Sequence, residues 1–196
     1  MKVRGRMNRR HGVPPRGSTR GGRAQRAEGV GRLLLILLAV LWPGGDACAQ
    51  TFSMETGRDS TGFLVLKTGR GEDRWRIADP VYRFQTGDVD GDGRTEALVG
   101  VVRQTRFHSR GRRLFIFKQV RGHVRPMWLG SKLGGLLQDF RWTGTCVRSV
   151  EATANGRYMV AEYGWDDFGL SFLRFVAQDV TLAEACHLLD EKHSNK

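Results

Sequence analysis

Little in this chain staples or stiffens it. It has three cysteines and five prolines in 196 residues. Too few thiols are present for a disulfide-framed mini-domain, and no Cys/His set has zinc spacing. Only three residues are Tyr. No Gly-x-Ser-x-Gly elbow, phosphate-binding loop or dinucleotide fingerprint occurs, which excludes the common hydrolase, NTPase and dehydrogenase patterns. Apolar runs are short as well. The longest, Leu33–Trp42, is only half of what a spanning helix needs, so no mature transmembrane segment is expected.

Positive charge is plentiful but unevenly placed. The formal net charge is +12, yet residues 1–49 hold ten of the 32 Lys and Arg against two of the 20 acids, leaving +4 for the remainder. A basic stretch, the apolar Leu33–Trp42, a Pro43-Gly44-Gly45 break and Ala47-Cys48-Ala49 form the three parts of a secretory signal peptide. Residues 1–49 are therefore read as a leader with a long basic n-region, cleaved after Ala49, which makes the product exported, periplasmic or secreted. A translation start near Met7 or Val30 would shorten that n-region. Lipidation at Cys48 is disfavoured by Gly45, and an uncleaved anchor by the short apolar run. No nucleic-acid-binding motif accompanies the charge, so no nucleic-acid partner is expected.

Beyond the leader, two cysteines remain, Cys146 and Cys186. In an oxidising compartment they either close one disulfide or stay as separate thiols. Strand signals dominate residues 50–178. Gly62–Lys67, Asp73–Ile77, Val81–Gln85 and Ala97–Val102 have alternating or β-branched apolar character. Arg113–Lys118 and His123–Trp128 form a hairpin turning at Arg121-Gly122, with Pro126 marking an edge. Four more strands follow between Leu137 and Val176, one pair turning at Asn155-Gly156. The expected fold class is all-β: two consecutive four-strand antiparallel meanders, each the size of a propeller blade, too few to close a propeller. They would form an incomplete propeller or small sandwich, alone or as a homo-oligomer. Residues 179–196 make a short C-terminal helix and tail, opened by the capping box Thr181–Glu184. Leu182, Ala185, Leu188 and Leu189 lie on one helical face.

The densest chemistry is Asp88-Val89-Asp90-Gly91-Asp92-Gly93-Arg94-Thr95-Glu96. Carboxylates stand at loop positions 1, 3, 5 and 9, with glycine at position 6. Hard oxygen ligands at that spacing suit Ca²⁺. Both flanks read as strands, and position 12 is Val99 where an EF-hand needs Glu, so this is a β-loop. The expected ligands are Asp88, Asp90, Asp92 and Glu96 through side chains and Arg94 through its carbonyl, with Ca²⁺ as cofactor. The alternative is an acidic turn that binds nothing.

These residues resemble the loop of FG-GAP/VCBS repeats, the blades of integrin-α-like β-propellers, with Glu96 in place of the final Asp. A wider stretch resembles a family of small exported bacterial proteins of unknown function, some labelled nuclear receptor-binding factor 2. It shares Glu55–Ser60, Arg113–Phe117 and Val160–Tyr163. The resemblance implies a fold and no activity.

Two other clusters are candidates. Residues 103–132 hold nine Lys or Arg and no acid, densest at Arg106, Arg110, Arg112 and Arg113. They are either a patch for an anionic glycan of the envelope or a solvated hairpin. Glu162–Phe168 combines acids with aromatics, as a carbohydrate-binding module or glycan-active enzyme would. The favoured reading is a non-enzymatic exported domain with one structural calcium site and an envelope or extracellular partner.

Overall fold

The computed structural model describes residues 50–104, 106, 109–130 and 133–191. The leader, Cys48 with its lipidation alternative, the cleavage point and the tail after Glu191 lie outside them. Among the described residues no helix is long and apolar enough to cross a membrane.

The fold is all-β with a short C-terminal helix. Three antiparallel sheets follow one another along the chain, and none closes into a barrel. The first has three strands, β1 (Thr51–Thr56), β2 (Gly62–Thr68) and β3 (Gly71–Ile77). The second is the meander β4 (Val81–Gly87), β5 (Glu96–Arg103), β6 (Gly111–Val120) and β7 (His123–Leu129). The third is β8 (Leu136–Trp142), β9 (Val147–Ala152), β10 (Tyr158–Asp166) and β11 (Gly169–Val180), followed by α1 (Leu182–Asp190). Both four-strand meanders are thus present. The segments Gly62–Lys67 and Asp73–Ile77 belong with Thr51–Thr56 to an additional small sheet.

Period-two alternation explains how the sheets stack. Successive side chains of a strand point to opposite faces. On β5 and β6, Leu98, Leu114 and Ile116 enter one core with Leu137, Phe140, Val147, Ala161 and Tyr163 of the third sheet. Their neighbours Ala97, Val99, Val101, Phe115 and Phe117 enter a second core with Phe52, Leu64, Leu66 and Ile77 of the first sheet. The middle sheet is therefore buried on both faces, which is why β5 reads as an unbroken apolar run. Close approach at the third sheet depends on two glycines. A Cβ on Gly87 would lie 2.1 Å from the Trp142 indole nitrogen, and one on Gly100 would lie 2.6 Å from the Tyr82 ring. Cross-sheet polar bonds fix the pairing: Arg83 meets Asp139 at 2.5 Å, and the Trp142 amide donates to Gln85 Oε1 at 2.7 Å.

Both ends of the stack are finished. The outer face of the first sheet carries ion pairs, with Arg74 bonded to Glu55 and Glu72. The outer face of the third is covered by α1, whose Ala185 and Leu189 pack on Val150 and Val160. The capping box is formed, the Glu184 amide donating to Thr181 Oγ1 and the Thr181 amide to Glu184. Leu182 departs from the expected helical face: it is 45% exposed, lying at the first turn before the helix meets the sheet. The Arg121-Gly122 turn has positive φ at both positions (54° and 84°), the type I′ geometry that matches strand twist. Pro126 lies on β7, an edge strand.

Gly87→Ala is expected to destabilise the fold by roughly 1–3 kcal/mol, because the Trp142 ring must move. Urea denaturation followed by tryptophan fluorescence measures it.

Candidate metal centre

The loop joining β4 and β5 is pinned from within. Val89, between the first two aspartates, is 6% exposed and packs into the core between the second and third sheets. Its amide donates to Glu96 Oε2 at 2.8 Å. Gly91 and Gly93 have φ of 74° and 80°, a left-handed turn that side chains with a Cβ rarely adopt. Amides close the loop on its own acids: Gly93 N to Asp88 Oδ2 at 3.0 Å, and Arg94 N to Asp92 Oδ1 at 2.9 Å. Gln50 Nε2 ties the loop's far end, donating to the Thr95 carbonyl at 2.6 Å.

This folding brings carboxylate oxygens of Asp88, Asp90 and Glu96 within 4.8 Å of one another. Asp88 is exposed, Asp90 half-buried and Glu96 buried. Asp92 is exposed and stands outside that trio, its Oδ1 occupied by the Arg94 amide. Of the four expected side-chain ligands, three converge in this way.

The electrostatics favour a cation. Burial pushes the Glu96 carboxyl up to about 7, against the pull of the Val89 amide, and the nearby Asp90 and Asp92 charges push in the same direction. Lys118 Nζ donates to Asp90 Oδ2 at 2.7 Å. That bond, more than any other effect, raises the lysine's own pKa. One ammonium thus offsets one of four carboxylates. A divalent ion bound by the trio would offset two of the remaining three, and the oxygen-only donor set fits Ca²⁺ better than a softer metal.

Lys118 and Gln50 were not legible as members of the site. The register Ala97↔Phe117 puts Glu96 opposite Lys118 one step further on. Only that pairing, and not the local sequence, reveals the lysine.

The remaining candidates are dispersed. The Cys146 and Cys186 thiols are both free, so the disulfide alternative is not formed. Cys146 is buried in the β8–β9 turn with Sγ 3.3 Å from Thr143 Oγ1, while Cys186 is exposed on α1. In the basic region, Arg106 and Arg110 are exposed. Arg112 donates to the Gln138 carbonyl and stacks 4.7 Å over the Tyr82 ring, so it joins sheets. Arg113 donates to the Arg112 carbonyl.

Glu162 forms the centre of a cross-strand row. It is 3% exposed and lies between Arg148 on β9 and Arg174 on β11. Arg148 donates twice to Oε1, at 2.9 and 3.0 Å, and Arg174 once to Oε2 at 2.7 Å. Arg148 also donates to the carbonyls of Leu188 and Glu191, satisfying the C-terminal end of α1. Burial alone would push the Glu162 carboxyl up, but bonds and charges from Arg174 and Arg148 outweigh it and hold the pKa below the ordinary 4.5.

Comparison of the chain with protein-family models, with curated proteins and with solved structures finds no match.

Because Glu162 has a depressed folded pKa, its contribution is fully present above about pH 4.5 and is lost as pH falls through the folded value. Glu162→Gln should therefore destabilise at pH 7 by roughly 2–4 kcal/mol, leaving the arginines under-paired, with the difference from wild type shrinking in acid. Urea titrations at pH 7 and pH 3 test this; an equal loss at both would contradict it.

Proposed function

We propose that the chain is an exported, non-enzymatic β domain with one structural Ca²⁺ site at Asp88–Glu96, acting by binding or assembly at the cell envelope. The convergence of Asp88, Asp90 and Glu96 on one point carries this reading. A structural role is supported by what the site is built from. Val89 is a core residue, and Glu96 is the first residue of β5, the strand buried on both faces. A bound cation would supply charge neutralisation at the start of that strand and tie the β4–β5 connection shut.

Export is supported by the leader's basic, apolar and small-residue segments. Extracellular calcium modules bind at about 0.1–1 mM, so ambient calcium outside the cell would fill such a site. Arg106 and Arg110 offer the exposed positive charge for an anionic glycan partner.

A second reading, a carbohydrate-binding surface at Glu162–Phe168, draws on Phe168, which is 95% exposed at the β10–β11 turn beside exposed Asp166 and Asp167. Glu162 would not take part, since both of its oxygens accept from arginines. A glycan array comparing wild type with Phe168→Ala would separate the readings. Signal lost with the ring supports the second; no signal in either protein removes it.

For the first reading, a dissociation constant near 0.1 mM gives about 2.7 kcal/mol of stabilisation at a hundredfold excess of Ca²⁺. That corresponds to a melting temperature roughly 5–10 °C higher in about 10 mM Ca²⁺ than in chelator. Asp88→Asn/Asp90→Asn should abolish the difference. Unchanged melting in wild type, with no heat of Ca²⁺ binding by calorimetry, would overturn the assignment.

A further inference from the structure

The acidic loop is met by a cation from a different part of the chain. Alternate residues of a strand share one face. Leu98 of β5 and Leu114 and Ile116 of β6 enter the core between the second and third sheets. Glu96 and Lys118 continue those two rows by one step, at the end of the sheet where the loop begins. The apolar rows therefore set the course of the lysine's stem, and its ammonium reaches the loop from β6.

Two carboxylates of the trio differ in what they lack. Asp90 has a donor at each oxygen. Lys118 Nζ donates to Oδ2 at 2.7 Å, and the Asp92 amide to Oδ1 at 3.4 Å. Glu96 is 1% exposed, and only its Oε2 is bonded, to the Val89 amide. Its Oε1 has no hydrogen-bond partner among the described residues. A carboxylate oxygen removed from water and left without a donor is costly, and a cation would relieve it. The Glu96 carboxylate lies within 4.8 Å of those of Asp88 and Asp90. Lys118 pairs with Asp90 and leaves Glu96 unsatisfied, so the ammonium stands in for only part of what a metal would do.

We infer that Lys118 is an internal competitor for the metal: its ammonium holds Asp90 in the absence of metal and is displaced when a divalent cation takes Asp88, Asp90 and Glu96. The inference rests on the calcium reading above and adds its regulation. An ammonium and a divalent ion on one carboxylate would repel each other, and the repulsion is stronger in a half-buried site than in water. Side-chain exposures of 13% for Asp90 and 31% for Lys118 make this such a site.

Calcium affinity follows the charge of the ligand set. A tethered ammonium removes one negative charge from what the ion meets, and so weakens binding toward the ~0.1–1 mM range of extracellular modules. The same bond holds the loop against β6 before any metal arrives. The site is thus built to fill where calcium is abundant and to keep its shape where calcium is scarce.

Calorimetric titration with Ca²⁺ and thermal melting of the full chain test this, on wild type, Lys118→Met and Lys118→Arg. Met keeps the stem and removes the charge; Arg keeps the charge. Lys118→Met should bind Ca²⁺ at least roughly tenfold more tightly than wild type, and Lys118→Arg within about threefold of it. In chelator Lys118→Met should melt below wild type, because Asp90 loses its donor. In saturating Ca²⁺ it should melt at or above wild type. A lysine needed only for packing would lower melting in both conditions at unchanged affinity, and that result would overturn the proposal. Wild type that binds Ca²⁺ as tightly as Lys118→Met, or more tightly, would overturn it and leave the calcium reading standing. No heat from any of the three would overturn both. Should Lys118→Met fail to fold, wild type alone decides. Acetylation of Lys118 by acetic anhydride, followed by mass spectrometry, should then be several-fold faster in Ca²⁺ than in chelator, with exposed Lys67 unchanged. An equal or slower rate would mean that the ammonium stays on Asp90, against the proposal.

Discussion

Burial of one strand on both faces is the constraint from which the rest follows. β5 runs from Glu96 through Val101 with every residue buried. A strand in that position cannot leave backbone groups or side chains unmatched on either side, since each would be desolvated without a partner. Three consequences are visible. At Gly100 the Tyr82 and Phe140 rings lie against the β5 backbone where a Cβ would clash with both. The alternating residues of β5 and β6 must satisfy two cores of different composition at once. And the strand begins with a carboxylate, Glu96, which has to find its compensation in the loop that precedes it. The Val89 amide supplies part of that compensation, while the Asp90 and Asp92 charges work against it.

The ends of the stack are governed by the opposite requirement. A sheet with a partner on only one face must present something soluble on the other. The first sheet does so with cross-strand ion pairs, and the third with an amphipathic helix docked through Ala185 and Leu189. The Arg148–Glu162–Arg174 row makes that docking specific. Arg148 joins a buried carboxylate on β10 to the open carbonyls of α1, so one side chain couples sheet order to helix position. Terminal units of repeat-like stacks commonly carry such finishing features. They account for a stack of blade-sized sheets that stays open.

Much of this was legible locally. The type I′ turn at Arg121-Gly122, the turn at Asn155-Gly156, the capping box at Thr181 and the edge character of β7 all follow from short-range chemistry, and all are present. The acidic loop between two strands was equally plain. The first sheet was only partly so: β2 and β3 read as strands, β1 did not. Thr51–Thr56 is a short stretch of exposed polar residues around Phe52 and Met54, and only pairing with β2 identifies it as a strand. The site's third dimension was hidden for the same reason. Lys118 reaches Asp90 because β6 pairs with β5 in one register, while Asp92 stands outside the trio with its carboxylate accepting from the Arg94 amide. Glu162 looked like a free acid beside aromatics; cross-strand alignment puts an arginine on either side of it. Long-range pairing decides each of these, and periodicity carries no record of it.

On the calcium reading proposed above, the loop and the central strand are one unit, a bound cation fastening the end at which β5 begins. Native-state hydrogen exchange with site resolution tests that link most directly. In Ca²⁺, the amides of Leu98, Val99 and Val101 should exchange at least tenfold more slowly than in chelator, with β1 to β3 changing least. Equal protection of β5 in the two conditions, or a change confined to Gly91–Arg94, would contradict it.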